Sequence, residues 1–465
     1  MYPRIMIAGT GGDCGKTLVA IGLSAAWKRE GLAVAPFKKG PDYIDAAWLS
    51  FAAGRPARNL DSWMMGTATV LESFAQNALR TGINVIEGNR GLHDGEDAKG
   101  THSSAELAKL LRSPVVLILP AQKMTRTAAA VALGMKMMDT NVPIAGVLLN
   151  RIANARQETL VRTAVESRTG LPVLGAIPRT DENLLPGRHL GLVTPQEHAQ
   201  AEKAVDAAAD LISRSVDLGR LRAIADTAGP DLSPEGRNTS GIVPRAEARD
   251  LRIGYFAGPA FTFYYPENLE AIDRTGAKRV AIDPLKHAEI PPVDALYVGG
   301  GFPETHAARL ADNAAFRRSI ALSAQDGLPI WAECGGLMFL AQSIQWMGST
   351  YPMAGFLPLR ISLGSKPAGH GYEEVVTDHE NPFVRTGTVL RGHEFHYSRI
   401  ADAGRIETAF EVRRGYGLGN GRDGVVMNRV LASYLHVHSL ASPDWVNWLV
   451  KAARGYRQEK IRTPA

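Results

Sequence analysis

Two short motifs carry the residues best suited to chemistry, and each contains one of the two cysteines of the 465-residue chain. The first is GTGGDCGKT (9–17) and the second is AECGGLMFL (332–340). Backbone N–H groups of a glycine-rich loop can approach phosphate oxygens, and a lysine at its end adds positive charge. A cysteine that follows an apolar run and precedes two glycines is typical of a nucleophile on a strand-to-helix turn. The sequence therefore predicts phosphate chemistry and thiol chemistry in one chain.

The first motif lies between an apolar run at 5–8 and a helical pattern at 18–27. Strand, loop and helix thus follow in the order of a phosphate-binding loop, although the leading glycine, Gly9, stands one residue before its place in the strict pattern GxxxxGK[ST]. The lysine is expected to reach the β and γ phosphates of ATP, and the threonine to ligate Mg²⁺. The predicted nucleotide-binding residues are Gly11, Gly12, Gly15, Lys16 and Thr17.

Acidic residues follow two further predicted strands. Asp42 and Asp45 lie in the segment FKKGPDYIDAAW, and Glu87 directly follows a second apolar run. Oxygen ligands are those that Mg²⁺ prefers, and the ion neutralises charge on a triphosphate. The sequence predicts that Asp45 and Glu87 complete a magnesium site with Thr17, with Asp42 as an alternative to Asp45.

Loops at the carboxyl ends of parallel strands bind the ligands of α/β folds. Five polar residues on such predicted loops are candidates for substrate contact: Lys39, Asp42, Tyr43, Arg90 and Asp94. A solvated charged turn is the alternative for the residues in 37–48. Asp94 is also a second candidate for the metal, and an Asp-Gly turn accounts for it equally well.

The second motif makes Cys334 the candidate nucleophile, because a strand-to-helix turn directs a helix dipole at the thiol. Its base must come from elsewhere, and we predict His436, with His438 as the second choice. Many glutaminases carry an acid two residues after this histidine, but here that position is His438. A water, a backbone carbonyl or His438 itself is left to orient the ring. The backbone N–H groups of Gly335 and Gly300 are predicted to stabilise an oxyanion.

His393 and His396 also lie close together in the sequence, in RGHEFHY. Two histidines at this spacing without a third ligand make a poor zinc signature. We therefore favour a structural or pocket role for this pair over a metal role.

Composition excludes several classes of protein. A content of 45% apolar residues supports more than one core, and the net charge of +5 comes from scattered Lys and Arg rather than from a basic block. Nucleic-acid binding is not expected. Two distant cysteines do not form a disulfide framework and suit a reducing cytoplasm, and no apolar run approaches the length of a membrane span. We predict a cytoplasmic enzyme that acts on small molecules, without a membrane or nucleic-acid partner.

Short β-branched runs alternate with helical patterns in two series, which predicts an α/β protein of two domains. The first, 1–215, is predicted to be a P-loop ATPase or ligase domain with a doubly wound parallel sheet. Residues 216–250 are predicted to be a linker because Gly, Pro, Ser and charged residues replace the periodic pattern. A glutaminase-type α/β domain follows at 251–455, with a tail at 456–465. A homodimer is left open.

Many long motifs in one order resemble the cobyrinic acid a,c-diamide synthase family, and the resemblance covers nearly the whole chain. They include GTGGDCGKT, PFKKGPDYID, EGNRGLHDG, GGGFPE, AECGGLMFL, RGHEFHYS and ASYLHVH. The resemblance implies a dethiobiotin synthetase-like ATPase domain joined to a class I glutamine amidotransferase domain. It also implies amidation of the a and c acetates of a tetrapyrrole with ATP, Mg²⁺ and glutamine, through an acyl phosphate. By matching position, Cys334 is the nucleophile, His436 its base, Lys16 and Thr17 bind nucleotide and metal, and Asp45 and Glu87 belong to the ligase site.

Some positions depart from the pattern of the cobyrinate enzymes. Arg90 follows Asn89 where an apolar pair is usual, Lys39 replaces a common valine, and the segment 123–127 carries an additional charge. Additional cations suit a macrocycle with more exposed carboxylates, and the pattern is similar to branches that amidate sirohydrochlorin or siroheme. The choice of tetrapyrrole is left open at this point.

Two other interpretations compete with an amidating enzyme. A P-loop switch protein would use ATP to drive dimerisation, but the signature lysine of such loops is replaced by Gly11, and the cysteine domain would have no use. A ligase with an inactive glutaminase half would bind glutamine without hydrolysing it. An assay of glutamine hydrolysis separates this alternative from the main hypothesis.

Overall fold

The computed structural model describes residues 2–180, 185, 187–188, 191–229 and 248–462. The chain divides into two compact units, Met1–Thr239 and Ser240–Ala465. Of the predicted linker, residues 230–247 lie outside the described residues, and residues 218–226 form a helix. Of the predicted tail, residues 456–462 continue the last helix. Within the described ranges, no helix combines the length and the apolar character that crossing a membrane requires.

The first unit is built on a parallel sheet of seven strands. Their bounds are β1 (Arg4–Gly9), β2 (Val34–Lys39), β3 (Arg58–Leu60), β4 (Ile83–Gly91), β5 (Val115–Pro120), β6 (Ile144–Ile152) and β7 (Val173–Pro178). The spatial order is β3-β2-β4-β1-β5-β6-β7. Strand β1 is buried along its whole length because it lies at the centre of a sheet that is covered on both faces. A short antiparallel pair follows, β8 (Gly187–Arg188) and β9 (Gly191–Leu192).

Eight helices accompany this sheet in the described part of the unit: α1 (Lys16–Arg29), α2 (Tyr43–Ala53), α3 (Ser62–Asn77), α4 (Ser104–Leu110), α5 (Thr127–Met138), α6 (Ala155–Thr169), α7 (Ala201–Ser215) and α8 (Leu218–Asp226). Several begin at a polar side chain that accepts a hydrogen bond from the first turn. Asp42 caps α2, Asp61 caps α3 and Asn154 caps α6. Strand β1 connects to β2 on one side of it, whereas β4 connects to β5 on its other side, so the direction of winding reverses at β1. The carboxyl ends of β1, β4 and β5 therefore form a crevice of the kind that binds ligands.

The second unit contains a sheet of ten strands in the order β11-β10-β12-β13-β22-β21-β20-β17-β18-β23. Its first five members are parallel and the remainder antiparallel. The bounds are β10 (Arg252–Phe256), β11 (Lys278–Ile282), β12 (Ala295–Val298), β13 (Ile330–Glu333), β17 (Gly369–Thr377), β18 (Val389–His396), β20 (Glu407–Arg414), β21 (Arg422–Met427), β22 (Val430–Ser433) and β23 (His436–Val437).

A smaller sheet of four strands, in the order β15-β14-β16-β19, comprises β14 (Ser343–Trp346), β15 (Ser349–Pro352), β16 (Leu359–Leu363) and β19 (Ser398–Ala403). The helices of the unit are α9 (Pro266–Arg274), α10 (Ala307–Asp312), α11 (Ala314–Gln325), α12 (Gly335–Leu340) and α13 (Trp445–Arg462), with a 3₁₀ turn at Pro303–His306. The predicted α/β class is confirmed, including the parallel sheet of the first domain.

Candidate active sites

The phosphate loop connects β1 to α1 and is braced from β6. Asn150 Nδ2 donates to the carbonyl oxygen of Cys14 at 2.8 Å, and a Cβ added at Gly15 would lie 2.4 Å from the same nitrogen. Gly15 also adopts a φ of 95°, which side chains rarely tolerate. Lys16 Nζ donates to Gly11 O at 2.9 Å, so the lysine folds back over the loop. The close approach of Asn150 and the positive φ therefore leave room only for glycine at position 15. The hydrogen bond from Asn150 to Cys14 fixes the loop beside Lys16.

A cavity of about 860 Å³ opens beside this loop. Eight of the predicted site residues line it: Gly12, Gly15, Lys16, Thr17, Asp42, Asp45, Glu87 and Arg90. Gly11 contributes the carbonyl that Lys16 contacts. Further lining residues come from the ends of β2, β6 and β7, and they include Lys38, Asn150, Arg151 and Arg179. The volume is sufficient for a nucleotide-sized ligand.

Three predicted metal ligands converge on one point of this cavity. Thr17 Oγ1 donates to Glu87 Oε1 at 2.6 Å. The ammonium of Lys38 lies 2.6 Å from Asp45 Oδ2 and 3.0 Å from Glu87 Oε1. Glu87 Oε2 is buried and makes no hydrogen bond to the described residues. A single cation, the lysine ammonium, thus lies where Thr17, Asp45 and Glu87 meet.

The electrostatics of this cluster follow from its burial. Burial raises the pKa of Glu87 to about 7, although the nearby Lys38 opposes the shift. Burial acts to lower the pKa of Lys38, but attraction to Asp45 and Glu87 outweighs it and holds the pKa above its ordinary value. Burial, with repulsion from Asp45, raises the pKa of Asp42 to about 6. The cluster carries excess negative charge that a further cation would neutralise.

The remaining predicted substrate residues differ in their positions. Arg90 is exposed at the cavity with a φ of 47°, and its N–H donates to Asn89 Oδ1 at 3.0 Å. Lys39 is buried at the end of β2, and burial lowers its pKa. Tyr43 is the first residue of α2. Asp94 closes a turn by accepting from the Gly91 N–H at 2.7 Å, and it is not among the cavity-lining residues that the structure describes.

Lys39 was selected from the sequence as a site residue, whereas its neighbour Lys38 was not. Successive side chains of a strand point to opposite faces, so one residue of register decides which lysine meets the carboxylates. Lys38 pairs in register with Glu87 across β2 and β4, and this places its ammonium at the cluster. Asn150 and Arg151 were also missed, although both follow a predicted strand. Arg151 Nη2 donates to Asp13 O of the phosphate loop at 2.8 Å.

The cysteine turn of the second unit lies between β13 and α12. Cys334 adopts φ 46° and ψ −97°, a sparsely populated region that costs on the order of 1–3 kcal/mol. Its N–H donates to Ser433 O at 2.7 Å, and its carbonyl accepts from Met338 N at 3.0 Å. Both glycines after it are tightly packed: a Cβ at Gly336 would lie 2.5 Å from Val298 O, and one at Gly335 would lie 3.0 Å from Gly301 N. This is the strained turn that the sequence predicts for a nucleophile.

The thiol of Cys334 is almost fully buried, and burial raises its pKa above the ordinary value, with Glu304 adding to the shift. Burial thus favours the neutral thiol over the thiolate, so a nucleophilic role for Cys334 would need a neighbouring base.

The predicted base lies against the loop at 299–301. A Cβ added at Gly300 would lie 2.5 Å from Cε1 and 3.3 Å from Nε2 of His436. The same loop touches Gly335, whose added Cβ would be 3.4 Å from the carbonyl carbon of Gly300. The structure thus brings His436, Gly300 and Gly335 together around the nucleophile turn, with the Gly301 N–H also adjacent. Their catalytic and oxyanion roles stay predictions.

The three other histidines that the sequence analysis considered, His393, His396 and His438, each contact a different neighbour. His393 stacks on His436 with ring centroids 4.9 Å apart, and burial lowers its pKa well below the ordinary value. His396 lies 3.1 Å from Glu394 and stacks on Tyr434. His438, the second choice for the base, lies beside Glu267: its Nε2 is 3.6 Å from Glu267 Oε2.

The fold and these two sites define a class of protein: a glutamine amidotransferase with its own nucleotide-binding unit. Residues 5–193 match the CobQ/CobB/MinD/ParA nucleotide binding domain, and residues 252–444 match the CobB/CobQ-like glutamine amidotransferase domain. The chain belongs to the cobyrinate a,c-diamide synthase family, as the sequence motifs predicted. The amidotransferase match disfavours a P-loop switch protein.

Similarity to members of this family spans nearly the full length. The chain is 41% identical to cobyrinate a,c-diamide synthase of Magnetococcus marinus, covering 97% of both chains. It is 39% identical to the enzyme of the same name from Archaeoglobus fulgidus, again covering 97% of both. A solved glutamine amidotransferase is 19% identical and covers 43% of this chain and 98% of its own, with a TM-score of 0.33 that is too low to bear on the fold.

Substituting Gly300 tests whether the loop at 299–301 positions the base. Gly300→Ala places a methyl group 2.5 Å from His436 Cε1, so the imidazole must shift. Because a displacement of about 1 Å can cost about 10²-fold in rate, glutamine hydrolysis should fall by about that factor. Steady-state glutaminase assays measure the effect.

Gly455→Ala in α13 is the matched control, since no described atom lies within 4 Å of its added Cβ. It should retain full activity and gain a little helix stability, about 0.5–1 kcal/mol. Unchanged glutaminase activity in Gly300→Ala would contradict the placement of His436 in the active site.

Proposed function

We propose that this protein amidates the a and c acetate carboxylates of cobyrinic acid or hydrogenobyrinic acid, with ATP as the energy source and glutamine as the nitrogen donor. The observation that carries the proposal is the presence in one chain of a phosphate loop beside buried carboxylates and a cysteine turn beside His436. The names and full-length similarity of the curated relatives support the substrate class.

The cysteine site has the groups that glutamine hydrolysis needs. His436 takes the proton of Cys334, and the thiolate attacks the side-chain amide carbon of glutamine. Ammonia leaves and a thioester remains, which water hydrolyses to glutamate. Both steps pass through an oxyanion, for which the N–H groups of Gly335 and of the loop at 299–301 are the available donors.

The phosphate-loop site has the groups that carboxylate activation needs. A substrate carboxylate oxygen attacks the γ-phosphorus of ATP, giving an acyl phosphate and ADP. Ammonia then attacks the acyl carbon, and phosphate leaves with the original carboxylate oxygen. Lys16 holds the phosphates, and Lys38, fixed between Asp45 and Glu87, adds positive charge where negative charge develops.

The same cluster fits a magnesium ion in donor type. Thr17, Asp45 and Glu87 present oxygen atoms, and Glu87 Oε2 is buried without a hydrogen bond to the described residues. No group of three or more His, Cys, Asp or Glu side chains that could hold a metal occurs in the described ranges. The threonine hydroxyl and nucleotide phosphates would therefore have to complete the ligand set, as is usual for Mg²⁺. The ion would supply neutralisation of the triphosphate charge.

Arg90 is the best candidate for a contact that selects the tetrapyrrole. It is exposed at the cavity and its guanidinium can hold a carboxylate bidentately. We assign it to a substrate carboxylate that is not amidated, in keeping with the several carboxylates that such macrocycles carry. Lys39, which is buried, and Arg126, at the start of α5, are weaker candidates for the same task.

Cys334→Ala and Lys16→Ala should separate the two half-reactions. Loss of the thiol should lower glutamine-dependent amidation by on the order of 10³-fold or more and leave ammonia-dependent amidation near the wild-type rate. Lys16→Ala should lower amidation with either nitrogen source, because both need the activated carboxylate, and it should spare glutamine hydrolysis. The measurements are product formation with each nitrogen source and glutamate release. If folded Cys334→Ala also lost the ammonia-dependent reaction, the proposed division of labour would be wrong.

Isotope transfer tests the acyl phosphate. Substrate labelled with ¹⁸O in its carboxylates should transfer one label to inorganic phosphate for each amide formed, because the carboxylate oxygen leaves with phosphorus. Mass spectrometry of the phosphate measures this. Finding the ¹⁸O label in AMP, or finding none in phosphate, would contradict the acyl phosphate intermediate.

Arg90→Met tests the substrate contact, with cobyrinic acid, hydrogenobyrinic acid, sirohydrochlorin and siroheme offered in parallel. Tetrapyrrole KM should rise about tenfold or more, equivalent to about 1.4 kcal/mol, while ATP affinity stays nearly unchanged. Arg151→Met is the matched control, since Arg151 lines the same cavity but contacts the phosphate loop. This substitution should weaken the binding of ATP and leave the tetrapyrrole KM nearly unchanged. Weaker ATP binding in Arg90→Met would move Arg90 to the phosphate site, and amidation of sirohydrochlorin or siroheme alone would overturn the proposed substrate.

A further inference from the structure

The histidine of the cysteine site lacks the carboxylate that many glutaminases place two residues later. In this chain that position is His438, whose Nε2 lies 3.6 Å from Glu267 Oε2 and whose ring packs on Tyr265. His438 thus faces the carboxylate of Glu267 and does not replace the missing acid beside His436. An imidazole that acts as a base nevertheless needs a partner at Nδ1, because that partner decides which ring nitrogen is free to accept a proton.

Glu333 supplies a carboxylate at that nitrogen. Its Oε2 lies 3.4 Å from His436 Nδ1, and both side chains are almost completely buried. Glu333 is the last residue of β13 and directly precedes the nucleophile. The carboxylate therefore reaches the imidazole across the sheet, from the strand that carries Cys334, and not from the chain around His436.

Three further donors fix this carboxylate in position. Trp331 Nε1 donates to Oε1 at 3.1 Å, Val437 N donates to Oε1 at 3.4 Å, and the hydroxyl of Tyr297 donates to Oε2 at 3.2 Å. Tyr297 is itself held by Asn268 Nδ2 at 3.0 Å. Both oxygens of the carboxylate are thus held by hydrogen bonds, which fixes its orientation towards His436.

The opposite side of the ring faces the catalytic loop. Gly300 lies next to Cε1 and Nε2 of His436, as the positions of its added Cβ show. His393 stacks on the ring face, and its pKa is held well below the ordinary value by burial and by His436, so it contributes no positive charge. The other titratable groups around the carboxylate are Tyr297, Tyr264 and Cys334 itself.

We propose that Glu333 is the positioning residue of the glutaminase site, holding His436 with its proton on Nδ1 and Nε2 free to accept the proton of Cys334. This rests on the proposed glutaminase activity and deepens it. The residue before the nucleophile then performs the task that other glutaminases give to the residue two places after the histidine. The alternation of β13 allows this: Glu333 ends the strand behind the imidazole, and the turn at φ 46° redirects the chain at Cys334.

The test compares Glu333→Gln, Glu333→Asp and Glu267→Gln in the full chain. Glu267→Gln is the matched control, because it neutralises the other buried carboxylate that faces a histidine of this segment. Wild-type glutamine hydrolysis is measured first, and its absence would refute the glutaminase activity rather than the role of Glu333. The circular dichroism spectrum and melting temperature of each variant show whether the second unit is folded.

Glu333→Gln should lower kcat for glutamine hydrolysis by on the order of 10²–10⁴-fold with little change in KM, the size expected when an imidazole loses its orienting carboxylate. Removing the negative charge disfavours the protonated imidazolium form, so the acid limb of the kcat profile should move to lower pH. The pH dependence of Cys334 alkylation by iodoacetamide should change in parallel. Glu333→Asp keeps the charge and should retain the position of the acid limb with an intermediate kcat.

Two results would overturn the inference. One is a wild-type kcat and pH profile in Glu333→Gln or, if that variant does not fold, an acid limb displaced in Glu333→Asp. The other is an equal displacement in Glu267→Gln, which would show that any buried carboxylate of this region has the effect.

Discussion

The turn at Cys334 is the constraint on which the second unit depends. A non-glycine residue at φ 46° and ψ −97° is strained, and the surroundings hold it there through the hydrogen bond of its N–H to Ser433 and through the close packing of Gly335 and Gly336. That packing requires β12 and β22 to flank β13 and the loop at 299–301 to lie against the turn. The same arrangement brings Gly300 to His436 and leaves Glu333 behind the ring, so the strand order determines the geometry of the candidate site.

Buried charge organises the first unit in a comparable way. Lys38 and Glu87 are both almost fully buried, which is tolerable only because the ammonium meets two carboxylates and Thr17 donates to one of them. The central position of β4 between β2 and β1 brings these groups to one edge of the sheet. The phosphate loop ends at the same edge, so the loop and the carboxylate cluster line one crevice.

Much of this architecture could be predicted from short patterns. Apolar runs located many of the parallel strands but not β3, β7, β11 or β22, and the motifs drew attention to the phosphate loop, Glu87, Cys334 and His436. The antiparallel part of the second sheet was not predicted, because strands such as β20 (Glu407–Arg414) lack the strict alternation of polar and apolar residues that marks a strand: Ala409 and Phe410 are adjacent and both buried. Lys38 was not predicted to contact the carboxylates, because the strand register that pairs it with Glu87 cannot be read from the sequence. Glu333 was not predicted as the partner of the His436 ring, because it precedes His436 by about a hundred residues in the chain and reaches the ring from β13, the neighbour of the strand β22 that leads to His436. From the sequence, His438, two residues from His436, was the side-chain partner considered.

The central claim is that both amide nitrogens come from glutamine hydrolysed by this chain and enter two acetates of one macrocycle. The direct measurement is mass spectrometry of the tetrapyrrole after reaction of cobyrinic acid with ATP and glutamine labelled with ¹⁵N in its side-chain amide. The expected product is a diamide in which both amide nitrogens carry the label, with one ADP and one glutamate formed for each amide. A product that carries no label, or glutamate release without amide formation in the presence of ATP and cobyrinic acid, would contradict it.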